Sequence, residues 1–437
     1  MNTFLVILSI FYSFSISDLK QKDKISDNQK ITNNKLFENK TYKKSIRTVL
    51  IYKKGWEMSF PIIELNSNDE IELSFDDVTS SSKNYSWKFI HCNSDWTKSD
   101  LDQIEYSQGF EQGDITDYQF SKNTTIQYIN YKFSFPNEEI KFLKSGNYIV
   151  KIFEDGDEKN IVLTKRFYIN ENVSSINANY KKWLPASLNA NNQQINIEFS
   201  YNHRNLIDRE SELELKIFKN NEIEKTTKNI KPSFIQANKI FYSELRELTF
   251  PGGNEFRHVD LKNLKLLSDR IDFISFENDT FSVILKPDNN EKDKEYYFFE
   301  DLNGKFLIKL ENNNESNIMA DYSYVNFSLD MPLSLQSGDY YLFGQISDWQ
   351  IKNDFKLNYD FKEKKYKLKL LLKQGYYNYQ YVFITEDEFY RDNLIRFSAE
   401  GNFFNTENDY YILLYHKDKI DGYDKLVGFK MINTVKK

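Results

Sequence analysis

The chain is poor in the residue types that carry most catalysis. Four histidines, His91, His203, His258 and His416, are scattered without the spacing of metal ligands. The one cysteine, Cys92, can neither close an intramolecular disulfide nor build a multi-cysteine zinc site. Beside Ile90 and Phe89 it reads as a small buried hydrophobe, and His91 is not its base merely by being next in sequence. The chain contains no G-x-S-x-G elbow, phosphate-binding G-x-x-x-x-G-K-[ST], G-x-G-x-x-G or H-E-x-x-H. Carboxylates are plentiful, but a glycosidase pair must face each other across a cleft, and on strands most occupy the solvent side. A net charge of −7 with both signs interspersed gives no basic face for nucleic acid. The expectation is a protein with no catalytic residues, no cofactor and no metal.

Three aromatic–polar clusters stand out. The first runs from Lys88 through His91, Cys92, Asn93 and Asp95 to Trp96 and reads as a strand turning a corner. Asn93 or Asp95 there satisfies backbone donors, and Trp96 plugs the end of a sandwich. The second is Phe250-Pro-Gly-Gly253-Asn254-Glu255-Phe256-Arg257. Its paired glycines permit positive φ or close backbone approach, and an ion pair between Glu255 and Arg257 is expected to lock the loop. The third runs from Tyr340 to Trp349. Gly344, Asp348 and Trp349 approximate the first-strand turn of early-set sandwiches, which include glycogen- and starch-binding modules. Trp349 is thereby an alternative glycan platform.

The elements positioning these clusters are strands. Apolar and polar residues alternate in Ile71-Glu-Leu-Ser-Phe75, Ile195–Tyr201 and Leu213–Ile217, the mark of sheets with one buried and one wet face. Tyr366, Leu368, Leu370 and Leu372 line one face. They are answered across Lys373-Gln374-Gly375 by Tyr377, Tyr379, Tyr381 and Phe383, which reads as a hairpin with Tyr376 on its other side. Thirty-six Phe and thirty Tyr supply the core. The stretch Asn238–Leu248 fits a short helix or a strand equally well. The fold class is all-β, with tandem β-sandwich domains of immunoglobulin-like or early-set-like type.

The expected division is a signal peptide over 1–17, a flexible lead-in over 18–45, an N-terminal sandwich over 46–169, a middle β-domain over 170–329 and a C-terminal early-set-like sandwich over 330–437. Phe4–Phe14 is too short to span a bilayer and fits a signal-peptide core before Ser15 and Ser17, although no Lys or Arg precedes it. No cysteine follows that run to carry a lipid anchor, and no later segment qualifies as transmembrane. The mature chain is expected to be periplasmic, without direct membrane insertion.

Together the segments resemble the plug protein of the Bacteroidota type IX secretion system. They are Phe89-Ile-His91-Cys92-Asn93-Ser-Asp95-Trp96, Glu105–Phe110, Ile115–Tyr118, Phe135–Glu138, Ser145–Tyr148, Phe250–Arg257 with Gly253, Asn254, Glu255 and Phe256, Asp301–Gly304, and Ala320–Tyr322. The series continues with Lys373–Tyr379, which includes Gly375, Tyr376, Tyr377 and Tyr379, then Glu400–Phe403 and Thr406–Tyr410. The resemblance spans nearly all the chain after the lead-in, in order. It implies a non-enzymatic periplasmic protein held to the outer membrane through a large β-barrel translocon, whose periplasmic mouth it closes. The family's signature residues are expected to be structural. A carbohydrate-binding sandwich protein of the periplasm or cell surface is the alternative.

Overall fold

The computed structural model describes residues 37–79, 81–182, 191–222, 230–335, 338–385 and 398–435. The proposed signal peptide and residues 18–36 of the lead-in lie outside them. With 50% strand and 6% helix, the chain is all-β, and its strands form sheets that pack face to face.

In the first sandwich, one sheet runs in the order Lys40–Thr41, Ile161–Asn170, Gly146–Glu154, Tyr85–Cys92 and Gln112–Asp114, with Ile62–Glu64 added in parallel. The facing sheet is Ile46–Lys53, Ile71–Asp77, Ile129–Phe135 and Asp117–Phe120. Alternate side chains point inward from both, so Trp87, Phe89, Phe133, Phe135 and Phe167 share one core; Trp87 stacks on Phe133 at 5.2 Å. The end of the lead-in is not flexible. Lys40 and Thr41 pair with Thr164 and Leu163, because the edge of Ile161–Asn170 offers backbone groups that need partners.

The middle sandwich sets Ser175–Lys182, Asn192–Ser200, Lys239–Tyr242, Phe234–Gln236 and Thr249–Pro251 against a sheet of Leu213–Lys219, Asp409–Asp418 and Tyr423–Asn433. Its core joins Ile195, Ile197 and Phe199 to Ile217, Ile412 and Leu414. The ambiguous stretch 238–248 resolves into strand Lys239–Tyr242 and a single 3₁₀ turn, Arg246–Leu248.

In the sequence, the third sandwich is inserted between the strands Thr249–Pro251 and Asp409–Asp418 of the middle one. Arg257–Asp260, Gly375–Thr385, Phe306–Ile308 and Gly338–Phe343 face Ile271–Glu277, Thr280–Leu285, Tyr322–Asp330, Lys365–Lys373 and Asn358–Asp360. The expected boundary at 329/330 therefore falls inside the strand Tyr322–Asp330. The strands Asp409–Asp418 and Tyr423–Asn433 belong to the middle sandwich and not to the one before them, since Leu213–Lys219 pairs with Asp409–Asp418. Alternation announces that a strand exists but not which strand it pairs with, and here the partner is remote.

The expected hairpin across Gln374 is also corrected. Lys365–Lys373 pairs with Tyr322–Asp330, whereas Gly375–Thr385 pairs with Arg257–Asp260, Phe306–Ile308 and Gly338–Phe343. The chain crosses from one sheet to the other at Gln374. Tyr366 and Leu372 thus meet Tyr377, Tyr379, Tyr381 and Phe383 through the core rather than across a ladder. Gly375 permits the crossing: a Cβ there would sit 2.3 Å from the Leu307 carbonyl oxygen.

Candidate functional site: the joints between the sandwiches

The signature clusters converge where one sandwich meets another. Strand Tyr85–Cys92 ends in a turn in which Asp95 Oδ1 accepts from the Thr97 amide at 2.9 Å and its hydroxyl at 2.6 Å. Trp96, at φ 68°, lies under the Arg166 guanidinium at 4.2 Å and edge-on to Tyr168. The turn faces the middle sandwich. The Ser94 amide donates to Asp424 Oδ2 at 3.0 Å and its hydroxyl to Glu214 Oε2 at 2.5 Å, while Lys216 donates to the Ser94 carbonyl. Asn147 donates to the Asn93 carbonyl and accepts from Tyr415 Oη at 2.7 Å. Around them Phe60 and Tyr168 of the first sandwich pack on Phe218, Tyr411 and Leu426 of the middle one.

His91 and Cys92 lie behind this turn. His91 is fully buried among Tyr106, Tyr148 and Tyr423. Its Nε2 is 3.0 Å from the Ser145 carbonyl, which can only accept, so the neutral ring carries its proton there and Nδ1 accepts from Ser99 Oγ at 2.8 Å. Burial lowers its pKa to about 4. Burial likewise pushes the Cys92 thiol up to about 12, far from a thiolate nucleophile.

The second cluster joins the middle and third sandwiches. A Cβ on Gly252 would lie 1.8 Å from the Phe403 carbonyl oxygen, and Gly253 takes φ 76°. Asn254 Nδ2 donates to the Glu400 carbonyl, and the Phe256 amide to Asp301 Oδ2. The expected Glu255–Arg257 pair is replaced by two separate arrangements. Glu255 turns toward Tyr296 Oη, at 2.5 Å, and the Glu407 amide. Arg257 opens a strand and enters the end of the third sandwich instead. Its Nε contacts both Glu400 oxygens at 3.1 and 2.9 Å, and its Nη1 reaches Asp288 at 3.2 Å. Asp288 also accepts from Arg270 at 2.6 Å and from the Tyr379 and Tyr381 hydroxyls at 2.9 Å each. A buried network of this kind fixes geometry because every member leans on the others.

A third joint links the first sandwich to the third. Asp76 and Lys373 pair at 2.6 Å, Asp76 also accepts from Tyr322 Oη, and Thr48 bonds the same hydroxyl. Lys373 lies 4.1 Å from the Tyr128 ring centroid. A second ion pair between these two sandwiches joins Lys165 to Asp348. Burial alone would raise the Asp348 carboxyl, but Lys165 and Lys352 outweigh it and hold it well below the usual range. Asp76, Lys165 and Asp288 carried no signal in the sequence, and Lys373 and Glu400 entered the family resemblance only as the ends of segments that carry it.

The remaining expected residues are structural in setting. Trp349 is only 7% exposed and packs with Phe256, Phe343 and Val382. It is no exposed sugar platform, because the turn that carries it folds back over the Gly304 loop, where a Cβ would lie 2.5 Å from its ring. Tyr377 Oη donates to the Lys373 carbonyl. Tyr376 stacks on His258 at 5.6 Å and lines an open groove of about 410 Å³ with Leu302, Leu307 and Leu310. Two histidines that the sequence keeps far apart, His203 and His416, come together beside Asp418.

Residues 46–171 match the sequence model of the first domain of type 9 secretion system plug proteins. A crystal structure of a hypothetical protein from Parabacteroides merdae is 31% identical over 90% of this chain and 98% of that one, with a TM-score of 0.86. The likeness therefore extends over all three sandwiches. Pseudomonas fluorescens alkylpurine DNA glycosylase AlkC, bound to DNA containing an abasic site analogue, gives a TM-score of 0.15 and 11% identity over 29% of this chain and 30% of that chain. No curated protein matches. The matched first sandwich carries the signature turn that docks it onto the middle one, and the chain belongs to the type IX secretion system plug protein family, with a role related to type IX secretion.

Proposed function

We propose that the protein is a non-enzymatic periplasmic plug that closes the periplasmic side of the type IX outer-membrane translocon barrel by steric fit. The observation that carries this reading is the locking of three sandwiches at three buried joints, typified by Asp76–Lys373. A stopper for a wide aqueous lumen must resist deformation. Three cores cross-braced by buried ion pairs and stacked rings provide stiffness that a string of flexibly linked domains would not. The family's link to type IX secretion supports the setting. Steric closure needs shape complementarity over a large interface and no chemistry.

The untagged chain should co-purify with a very large outer-membrane barrel from its native host. Deleting it should make the outer membrane more permeable to small hydrophilic probes, and re-expression should reverse this. Unchanged permeability in a deletion strain whose barrel is intact would rule plugging out.

A further inference from the structure

We propose that His203, His416 and Asp418 form a binding site for a divalent transition cation of borderline softness, with Zn²⁺ the best match. One ligand atom from each lies within 4.8 Å of the others, close enough for small side-chain movements to bring them around one ion. The site is built on different parts of the middle sandwich. His203 follows the strand Asn192–Ser200, while His416 and Asp418 end the strand Asp409–Asp418, two residues apart and so on the same face.

Two observations point to a ligand. His416 is fully buried, yet its Nε2 has no hydrogen-bond partner, an arrangement that costs free energy unless something meets that nitrogen. Its other nitrogen is 3.0 Å from Tyr201 Oη. If Nδ1–H donates to that oxygen, the Nε2 lone pair is left free, the arrangement that an outer-sphere partner gives metal-binding histidines. The two imidazoles lie edge to face with centroids 5.5 Å apart, and His203 is only partly buried, so its ring can turn.

Binding exchanges existing bonds rather than filling a void. His203 Nδ1 accepts from the Asn205 amide at 3.2 Å, and Asp418 Oδ2 accepts from Asn205 Nδ2 and Lys425 Nζ at 2.9 and 2.8 Å. Lys425 has a second carboxylate in Asp421. Asp418 Oδ1 is held by the Ile420 and Asp421 amides at 2.9 and 3.0 Å, so a metal takes Oδ2, displacing Asn205 or Lys425, and Lys425 stays paired with Asp421. Asp418 also borders a groove of about 410 Å³ between the signature turn and the C-terminal hairpin, lined by Asn93, Asp95 and Lys419 among others. The groove thus reaches the carboxylate residue of the site, while the partly buried His203 ring is the one that can turn to admit an ion. Two nitrogens and one oxygen with an open position suit zinc better than calcium or magnesium, which prefer all-oxygen shells.

The test uses the untagged full chain, stripped with chelator and titrated with Zn²⁺ against a chelating dye, with Co²⁺ absorption as the spectroscopic readout. One equivalent should bind and raise the melting temperature. His203→Gln, at a partly exposed position, should fold as before and weaken binding by more than the roughly 10–100-fold that loss of an outer-shell partner brings. Lys425→Gln should tighten binding by removing the competing cation. Absence of uptake by the unaltered chain, or equal uptake by His203→Gln, would overturn the assignment.

Discussion

Asp76 of the first sandwich and Lys373 of the third meet at 2.6 Å with each side chain 1% exposed, almost three hundred residues apart in the chain. Neither has water to fall back on if its partner is removed. Breaking such a pair from one side leaves a buried charge, which typically costs about 3–5 kcal/mol. Lys373→Met should therefore destabilise the protein by about that much, measured by urea denaturation. Adding Asp76→Asn should recover part of the loss, because the remaining charge is then removed. Equal destabilisation by the single and double variants would show that the pair is not coupled.

His91 sets a limit at acid pH. Burial lowers its folded-state pKa to about 4 from 6.5, so between those values the unfolded chain binds the extra proton and the folded chain does not. Stability should be full above pH 6.5 and should fall as pH drops toward 4, by up to about 3 kcal/mol at 1.36 kcal/mol per pKa unit. His91→Gln should lower stability at pH 7, since Ser99 and the Ser145 carbonyl lose a fitted partner. It should also flatten the pH profile between 6.5 and 4 relative to the parent. Melting temperatures across that range decide it, and parallel profiles would remove His91 as the cause.

How much of this was legible depends on what each signal encodes. Alternation in Ile195–Tyr201 and Leu213–Ile217 identified strands because sidedness is local. It could not reveal that Leu213–Lys219 pairs with Asp409–Asp418, because pairing depends on a distant segment. Gly252 and Gly253 were readable as a close approach and a positive φ, the two things a missing Cβ allows. The burial of Asp288 and Glu400 was not readable, since a carboxylate outside the regular strands looks the same whether it faces solvent or a buried arginine. Gly is scarce at 14 residues, and Asn66, Asn123, Asn172, Asn220, Asn278 and Asn303 take positive φ instead. Asparagine, which tolerates the left-handed region better than most residues, thus supplies turn chemistry in place of glycine.

Gly252→Ala isolates close approach from conformational freedom. The neighbouring Gly253 has the positive φ, whereas at Gly252 the obstacle is steric: a Cβ 1.8 Å from the Phe403 oxygen. The Phe403 amide is held by the Gly253 carbonyl, so this stretch cannot yield without disturbing the joint between middle and third sandwiches. The substitution should cost about 1–3 kcal/mol, the usual range for overpacking, and raise protease sensitivity near that joint. An alanine variant as stable as the parent would mean that the segment around Phe403 moves freely.

Trp349 separates packing from sugar recognition. Its ring is edge-on to Phe256 and Phe343 at 6.0 and 5.8 Å, and the Asp348 carboxylate beside it accepts from Lys165 of the first sandwich. Truncating a buried aromatic costs about 3–5 kcal/mol, so Trp349→Ala should lower the melting temperature and loosen contact between the first and third sandwiches. Trp349→Phe should recover most of that loss, because it keeps a ring in the cavity and the indole nitrogen makes no hydrogen bond here. Saccharide binding by the parent chain that Trp349→Phe abolishes without loss of stability would reinstate the tryptophan as a recognition residue.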